Sequence, residues 1–272
     1  MINVLKRINR HSPEIFKKEP IDRNEIAYIP QFLSQGSLPK LHKNESEFKR
    51  ASKSVKYTLL SPSEIGVPGG SYSRLILILF NTLAKHAETP TIKLGNTKSK
   101  LMHSIGLGQH GDENKKFKKH FLSCINCVFH IEDHKSNTTK YSIQSIIKEA
   151  KINNQDWYWS SELTLSTPFF EASKKSVPTD WGALVCLAPG TLRMDIFNYL
   201  VYRLFNLKRD QQVPWKELHA MFATPTTKLW TFKPEFKIAL EQAKVFYPEA
   251  KTEINKNGLL LMKSKKLIRP IK

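Results

Sequence analysis

Four side chains in one short stretch have the types and spacing of a metal site. In Cys124-x-x-Cys127-x-x-His130-x-x-x-His134, two thiols and two imidazoles at short intervals could close a tetrahedron around zinc. The helical register argues against it. Cys124 continues the apolar series of Phe117 and Phe121, whereas Cys127 and both histidines fall at a helix end and in an expected strand, aimed in different directions. The thiols therefore read as core atoms and the histidines as surface groups, a reading that stoichiometric zinc in purified protein would reverse. A metal-dependent DNA-nicking enzyme would need a His-x-His pair with a nucleophilic Tyr, and no His-x-His occurs. Nor is there a Gly-x-x-x-x-Gly-Lys-Ser/Thr loop for a nucleoside triphosphate, and Asp133, Asp195 and Glu217 stand alone rather than in a Mg²⁺-holding cluster. These residues support no catalytic, metal or cofactor chemistry, so the chain is expected to bind rather than to catalyse.

The other residues with chemistry to offer are lysines. The 272 residues include 43 Lys plus Arg against 24 Asp plus Glu, a formal net charge of +19. An excess this large calls for a polyanion, and the phosphate backbone of nucleic acid is the commonest one. Lys outnumbers Arg by 34 to 9. Because Lys is a point charge and Arg the planar fork that reads guanine, contacts to phosphate should outnumber Arg–guanine contacts. Hydrophobic residues at 40% suffice for a real core. No apolar run is long enough to span a bilayer, and the N-terminus is charged at Lys6 and Arg7 without the apolar segment of a secretory signal. Three cysteines, Cys124, Cys127 and Cys186, are an odd number that suits reduced thiols. The expected setting is the cytoplasm.

The elements that would position these lysines form a series that occurs twice. Residues 1–56 have scattered prolines and no sustained period, which reads as a basic, partly flexible N-terminal arm; only short pieces such as Asn24 to Phe32 look able to dock. In the first unit, residues 57–175, the spacing of Tyr72, Leu75, Ile76, Leu79, Phe80 and Leu83 predicts a buried helix over Ser71 to His86 with Ser71 as N-cap. A short strand at Thr91 to Leu94, a short helix over Lys98 to Ile105 and a third helix over Asn114 to Phe129 follow. That third helix buries Phe117, Phe121 and Cys124 and turns Lys115, Lys118 and Lys119 outward. Strands at Cys127 to His134 and Lys140 to Ile147 would make a hairpin.

The second unit, residues 176–272, repeats the order. Helices are expected at Met194 to Leu207, Val213 to Phe222 and Lys233 to Phe246. A hairpin then turns at Asn255-Lys256-Asn257-Gly258, where Asn-Gly tolerates positive φ. A helix pair, a basic third helix and a two-stranded wing describe a winged helix, whose third helix enters the major groove while the wing touches phosphates. The fold class expected is therefore α+β, with two tandem winged-helix domains behind the arm. The DNA-binding candidates are Lys115, Lys118 and Lys119 with Lys135 and Asn137 on the first wing, and Thr227, Lys228, Trp230, Lys233 and Lys237 with Lys256 on the second.

Several stretches resemble one family. Gly66-Val67-Pro68-Gly69-Gly70-Ser71-Tyr72-Ser73-Arg74-Leu75 is similar to the Gly-Pro-Gly-Ser-Tyr-x-Arg-Leu opening of the RepA-type plasmid replication initiators, and Leu94-Gly95-Asn96 to the Leu-Gly turn after their first helix. Asp195 to Leu204 resembles their Asp-x-Tyr-x-Trp-Leu-x-Tyr-Arg-Leu helix, and Pro214 to His219, Phe236-Lys237 and Tyr247 to Ala250 also match. The resemblance spans about residues 57 to 262. It implies a theta-type initiator that binds direct repeats, or iterons, in double-stranded plasmid origin DNA, helps open the adjacent duplex and recruits the host initiator and replicative helicase machinery. Members of the broader class often repress their own gene as homodimers.

Two departures stand out. Trp230 and Pro234 occupy positions where relatives usually carry basic residues, which implies a different DNA sequence read there. Trp230 either touches DNA, through a thymine methyl or the backbone, or packs under the turn. Two other classes share the fold-level features. A tandem winged-helix transcriptional regulator would bind an operator, and a sequence-independent nucleic-acid scaffold would use the tail of Lys263, Lys265, Lys266, Arg269 and Lys272. The Gly66 to Tyr72 loop reads as a turn that packs the first helix in preference to part of a dimer switch.

Overall fold

The computed structural model describes residues 25–51, 55–94, 111–135, 138–152, 162–224 and 226–268. The helix expected over Lys98 to Ile105, Asn137, and the tail residues Arg269 and Lys272 lie outside them. The chain divides into two units, Leu38–Ser176 and a composite of Met1–Ser37 with Val177–Lys272.

The middle unit, Leu38–Ser176, is built around α2 (Gly70–Ala87), which follows α1 (Gln31–Gln35) of the other unit. The spacing of its apolar residues predicts a buried helix, and Leu75, Ile76, Leu77, Ile78 and Phe80 are all buried. A helix apolar on most sides is a central helix. It packs against α3 (Gly111–Ile125) and α4 (Thr167–Lys174). Phe80 meets Phe121 of α3 edge-on at 5.8 Å between ring centroids. The helix starts from Gly69 rather than Ser71, with no side-chain cap. By contrast, α4 is capped by Ser166, which accepts from Phe169 N, with Pro168 in its first turn.

Two antiparallel sheets complete this unit. One has the strand order β2 (Glu47–Ala51), β3 (Val55–Leu60), β5 (Val128–Lys135), β6 (Thr138–Ser145). The other has the order β4 (Thr91–Lys93), β8 (Glu162–Leu165), β7 (Ile147–Lys151). Here the arm expected over residues 1–56 is corrected: Glu47–Ala51 is a strand, paired along its length with β3. Its inward residues are Phe48 and Arg50, the guanidinium lying 4.9 Å from the phenyl centroid, so an arginine supplies the buried position where a sequence pattern expects an apolar one.

The composite unit brings the two ends of the chain together. Its β1 (Ile26–Ile29) pairs antiparallel with β9 (Val177–Asp180), and α1 packs on α6 (Thr191–Asn206). Between them lies α5 (Trp181–Leu187), capped by the Asp180 carboxylate accepting from Ala183 N. Then follow β10 (Gln211–Pro214), α7 (Trp215–Phe222), α8 (Leu229–Lys244), β11 (Thr252–Asn255) and β12 (Gly258–Leu261). The core holds Leu200, Leu204, Phe222, Phe232, Phe236 and Leu240.

Three expectations are corrected here. Val213 and Pro214 belong to a strand paired with β12, so the second helix starts at Trp215, and Pro214 stands before it. The third helix starts at Leu229 and runs through Pro234, whose missing N–H leaves the Trp230 carbonyl without its helical donor on an exposed face. The last hairpin turns on Lys256 and Asn257, and only Gly258 takes positive φ, at 146°. The Asn255 carboxamide oxygen accepts from Asn257 N and Gly258 N and so closes the turn.

The three-stranded sheets of the two units have the same wiring. In each, the strand after the long helix pairs with the last strand, which pairs with the one before it: β4-β8-β7 and β10-β12-β11. The β5–β6 hairpin stands in the other sheet, beside β3.

Candidate nucleic-acid interface

In the middle unit, α3 buries Phe117, Phe121 and Cys124 and exposes Lys115, Lys118 and Lys119. Lys116 is exposed beside them and was not expected to take part, although its spacing from Lys119 puts it on the same surface. Lys135 ends β5 opposite Thr138.

The start of α2 and α3 share a histidine cluster that sequence patterns did not reveal. His120 of α3 has Nδ1 2.9 Å from Ser73 Oγ, and its ring lies 5.2 Å from that of His42 and 5.4 Å from that of Tyr72. Burial, together with the neighbouring His42, lowers the His120 pKa to about 4. Burial also lowers that of His42, whose Nδ1 stands 3.0 Å from the Val67 carbonyl. The signal was hidden because His42 and His120 are 78 residues apart in the chain.

The glycine-rich motif has a packing role in this structure. Gly66 has φ 78°, and a Cβ there would stand 2.2 Å from the Lys43 carbonyl oxygen; one on Gly69 would stand 2.4 Å from that of Leu41. The backbone of residues 41–44 thus lies against the loop with no room for side chains. Arg74 is fully buried and donates to the carbonyls of Leu38, Pro39 and Gly70.

Among the metal-site suspects, Cys124 and Cys127 are buried and His130 lies in β5. Burial pushes the Cys124 thiol up to about 12 and the Cys127 thiol higher still, so both stay protonated at neutral pH. Their hydrogens point to the Ser73 and Val128 carbonyls.

In the composite unit, α8 carries an exposed stripe of Trp230, Pro234, Lys237, Ile238, Glu241 and Val245 at helical spacing. Trp230 is 72% exposed, so it does not pack under the turn. Ile238, at 63%, joins the stripe unforeseen; its signal was an apolar residue on the face opposite Phe232, Phe236 and Leu240. Lys228 is exposed and its carbonyl accepts from Thr231 N and Phe232 N. Lys233 is half-buried, its ammonium 5.4 Å from the Trp215 ring centroid. Thr227 serves the turn: its hydroxyl meets that of Thr224, and its carbonyl meets His219 Nε2 at 2.6 Å. Lys256 is exposed at the tip of the β11–β12 hairpin, which Trp215 holds by donating from N and Nε1 to the Asn257 and Asn255 carbonyls. No described helix is long and apolar enough to cross a membrane.

The chain thus has a two-unit fold of mixed helix and antiparallel sheet, with exposed lysines on α3 and α8 and no metal-binding cluster among the described residues. Among solved structures, domains 2 and 3 of RctB share this fold: the crystal structure of their selenomethionine derivative has a TM-score of 0.53 at 10% identity, covering 89% of this chain and 98% of that one. A second RctB structure of the same domains gives a TM-score of 0.52 at 11% identity over 84% and 94% of the two chains. No curated protein sequence matches the chain. The profile of the family described as plasmid encoded RepA protein matches residues 67–217, more than half of the chain. The chain belongs to that family, one of replication initiators.

Proposed function

We propose that the protein initiates plasmid replication by binding direct repeats in double-stranded origin DNA, with one winged helix in each unit and without catalysis. The observation that carries this reading is the exposed stripe of α8, which offers Trp230, Lys237 and Ile238 in a unit whose last hairpin exposes Lys256. An ammonium suits phosphate, and exposed apolar side chains suit thymine methyl groups in the major groove. In the middle unit, α3 with Lys115, Lys118 and Lys119 takes the corresponding place. The shared wiring supports β7–β8 as the counterpart of β11–β12, and so as the wing of that unit in place of the β5–β6 pair with Lys135. Family membership supplies the origin as target. The partners in this reading are the host initiator, the replicative helicase and a second copy acting in autorepression, and membership of an initiator family supports it. A cytoplasmic location fits them.

Binding to a labelled tiled set of fragments from the parent replicon, at about 150 mM salt, tests the proposal. Tight binding confined to direct repeats phased by about two helical turns is expected. Binding confined to an inverted repeat at a promoter would make the protein a regulator, and equal weak binding to all fragments a scaffold.

A further inference from the structure

Outside the face carried by α8, the composite unit holds a cleft of about 740 Å³ where α6 ends and β10 begins. Arg203, Lys208 and Arg209 line it together with Asp210, Gln211 and Gln212. Its place in the sheet is opposite the hairpin tip, because Gln211 pairs with Leu261 whereas Pro214 pairs with Gly258 next to the turn. The cations outnumber the one carboxylate, and that carboxylate is engaged: Asp210 Oδ1 accepts from Lys263 N at 3.0 Å.

One group is pre-set. Arg203 donates to the Gln211 carboxamide oxygen and lies with Cζ 5.7 Å from the Tyr199 ring centroid, which orients its guanidinium. Lys208 and Arg209 are both exposed and reach the same space.

We infer that this cleft binds a phosphate group, held by Arg203, Lys208 and Arg209. Two guanidinium forks and an ammonium match the several acceptor oxygens of a tetrahedral phosphate. That phosphate comes either from a nucleic-acid backbone or from a small soluble phosphate, and the test separates the two.

The full chain and its K208A/R209A variant are titrated with inorganic phosphate at constant ionic strength, with acetate as control, while the thermal midpoint is followed. Their affinity for a duplex without origin sequence is measured against salt in parallel. Both substituted side chains are exposed, so the variant is expected to keep its circular dichroism spectrum. A midpoint raised by phosphate, not by acetate, in the parent and not in the variant supports the site. A logarithmic salt slope reduced by about 1 in the variant assigns the phosphate to a nucleic-acid backbone. A midpoint effect with an unchanged slope assigns it to a small phosphate. Neither effect, or acetate acting as well as phosphate, overturns the inference. Failure to prefer origin repeats would sink the initiator reading and leave the phosphate titration standing, so the two are separable.

Discussion

Arg74 Nη2 donates at 2.7 Å to the carbonyl of Leu38, 36 residues upstream, and ties the first turn of α2 to the start of the middle unit. The same guanidinium reaches the Gly70 and Pro39 carbonyls at 2.8 and 3.1 Å. Fully buried, it is a charge held by backbone oxygens. Arg74→Met removes the donors and leaves the Leu38 carbonyl without the guanidinium, while the Pro39 carbonyl keeps Gly70 N. We expect it to destabilise the middle unit by about 1–3 kcal/mol, as loss of a donor to a buried acceptor does. Arg74→Lys should recover only part, lacking the fork. Urea denaturation of the three proteins checks both values.

The last hairpin supplies a second prediction. A Cβ on Gly258 would stand 2.0 Å from the Val213 carbonyl oxygen, and the residue has φ 146°. Gly258→Ala therefore combines backbone strain with a clash against β10, and should cost at least ~2 kcal/mol. A thermal midpoint within one degree of the parent would refute it.

On α8, Lys237 and Trp230 are exposed. Lys237→Ala should weaken origin binding by about 1 kcal/mol or more at physiological salt and leave the thermal midpoint unchanged. Trp230→Ala should act likewise but with a sequence-dependent loss, since an apolar contact to a base carries sequence information where a phosphate contact does not. Anisotropy titrations with substituted repeats distinguish the two. Unchanged affinity in either variant removes that residue from the interface.

His120 sets a pH dependence. Its folded pKa, about 4, lies below the ordinary value of 6.5, so between these limits the unfolded chain binds more protons than the folded one. The stability from burying this neutral imidazole is fully present above pH 6.5 and is lost as pH falls towards 4. The steepest slope approaches ~1.4 kcal/mol per pH unit. His42, also lowered, adds in the same direction. Chemical denaturation between pH 4 and 7 should show this slope, and His120→Asn should flatten it.

How much of this was legible in the sequence differs by element. The long helices could be read because Leu75, Ile76 and Phe80, or Phe232, Phe236 and Leu240, recur at helical spacing and do end up buried. The strand at Glu47–Ala51 escaped because one of its two inward positions is an arginine. The pairing of β1 with β9 escaped because no local pattern encodes a partner some 150 residues away. Short α5 escaped although Asp180 supplied an N-cap, since seven residues are too few for a period to register. At the candidate interface, lysines on α3 could be found from charge opposite an apolar face. Ile238 was missed although it lies opposite Phe232, Phe236 and Leu240, because charge alone marked the outward positions.

The pairing of Ile26–Ile29 with Val177–Asp180 also sets a timetable for synthesis. The first strand leaves the ribosome roughly 8 to 30 seconds before its partner, at ordinary elongation rates. Throughout that interval β1 stays an unsatisfied edge, and the intervening unit, which needs β8 and α4, is complete only as β9 appears. The segment from Val177 onward thus depends on a strand made some 150 residues earlier, and a fragment begun after residue 37 would carry a bared β9 into its folding.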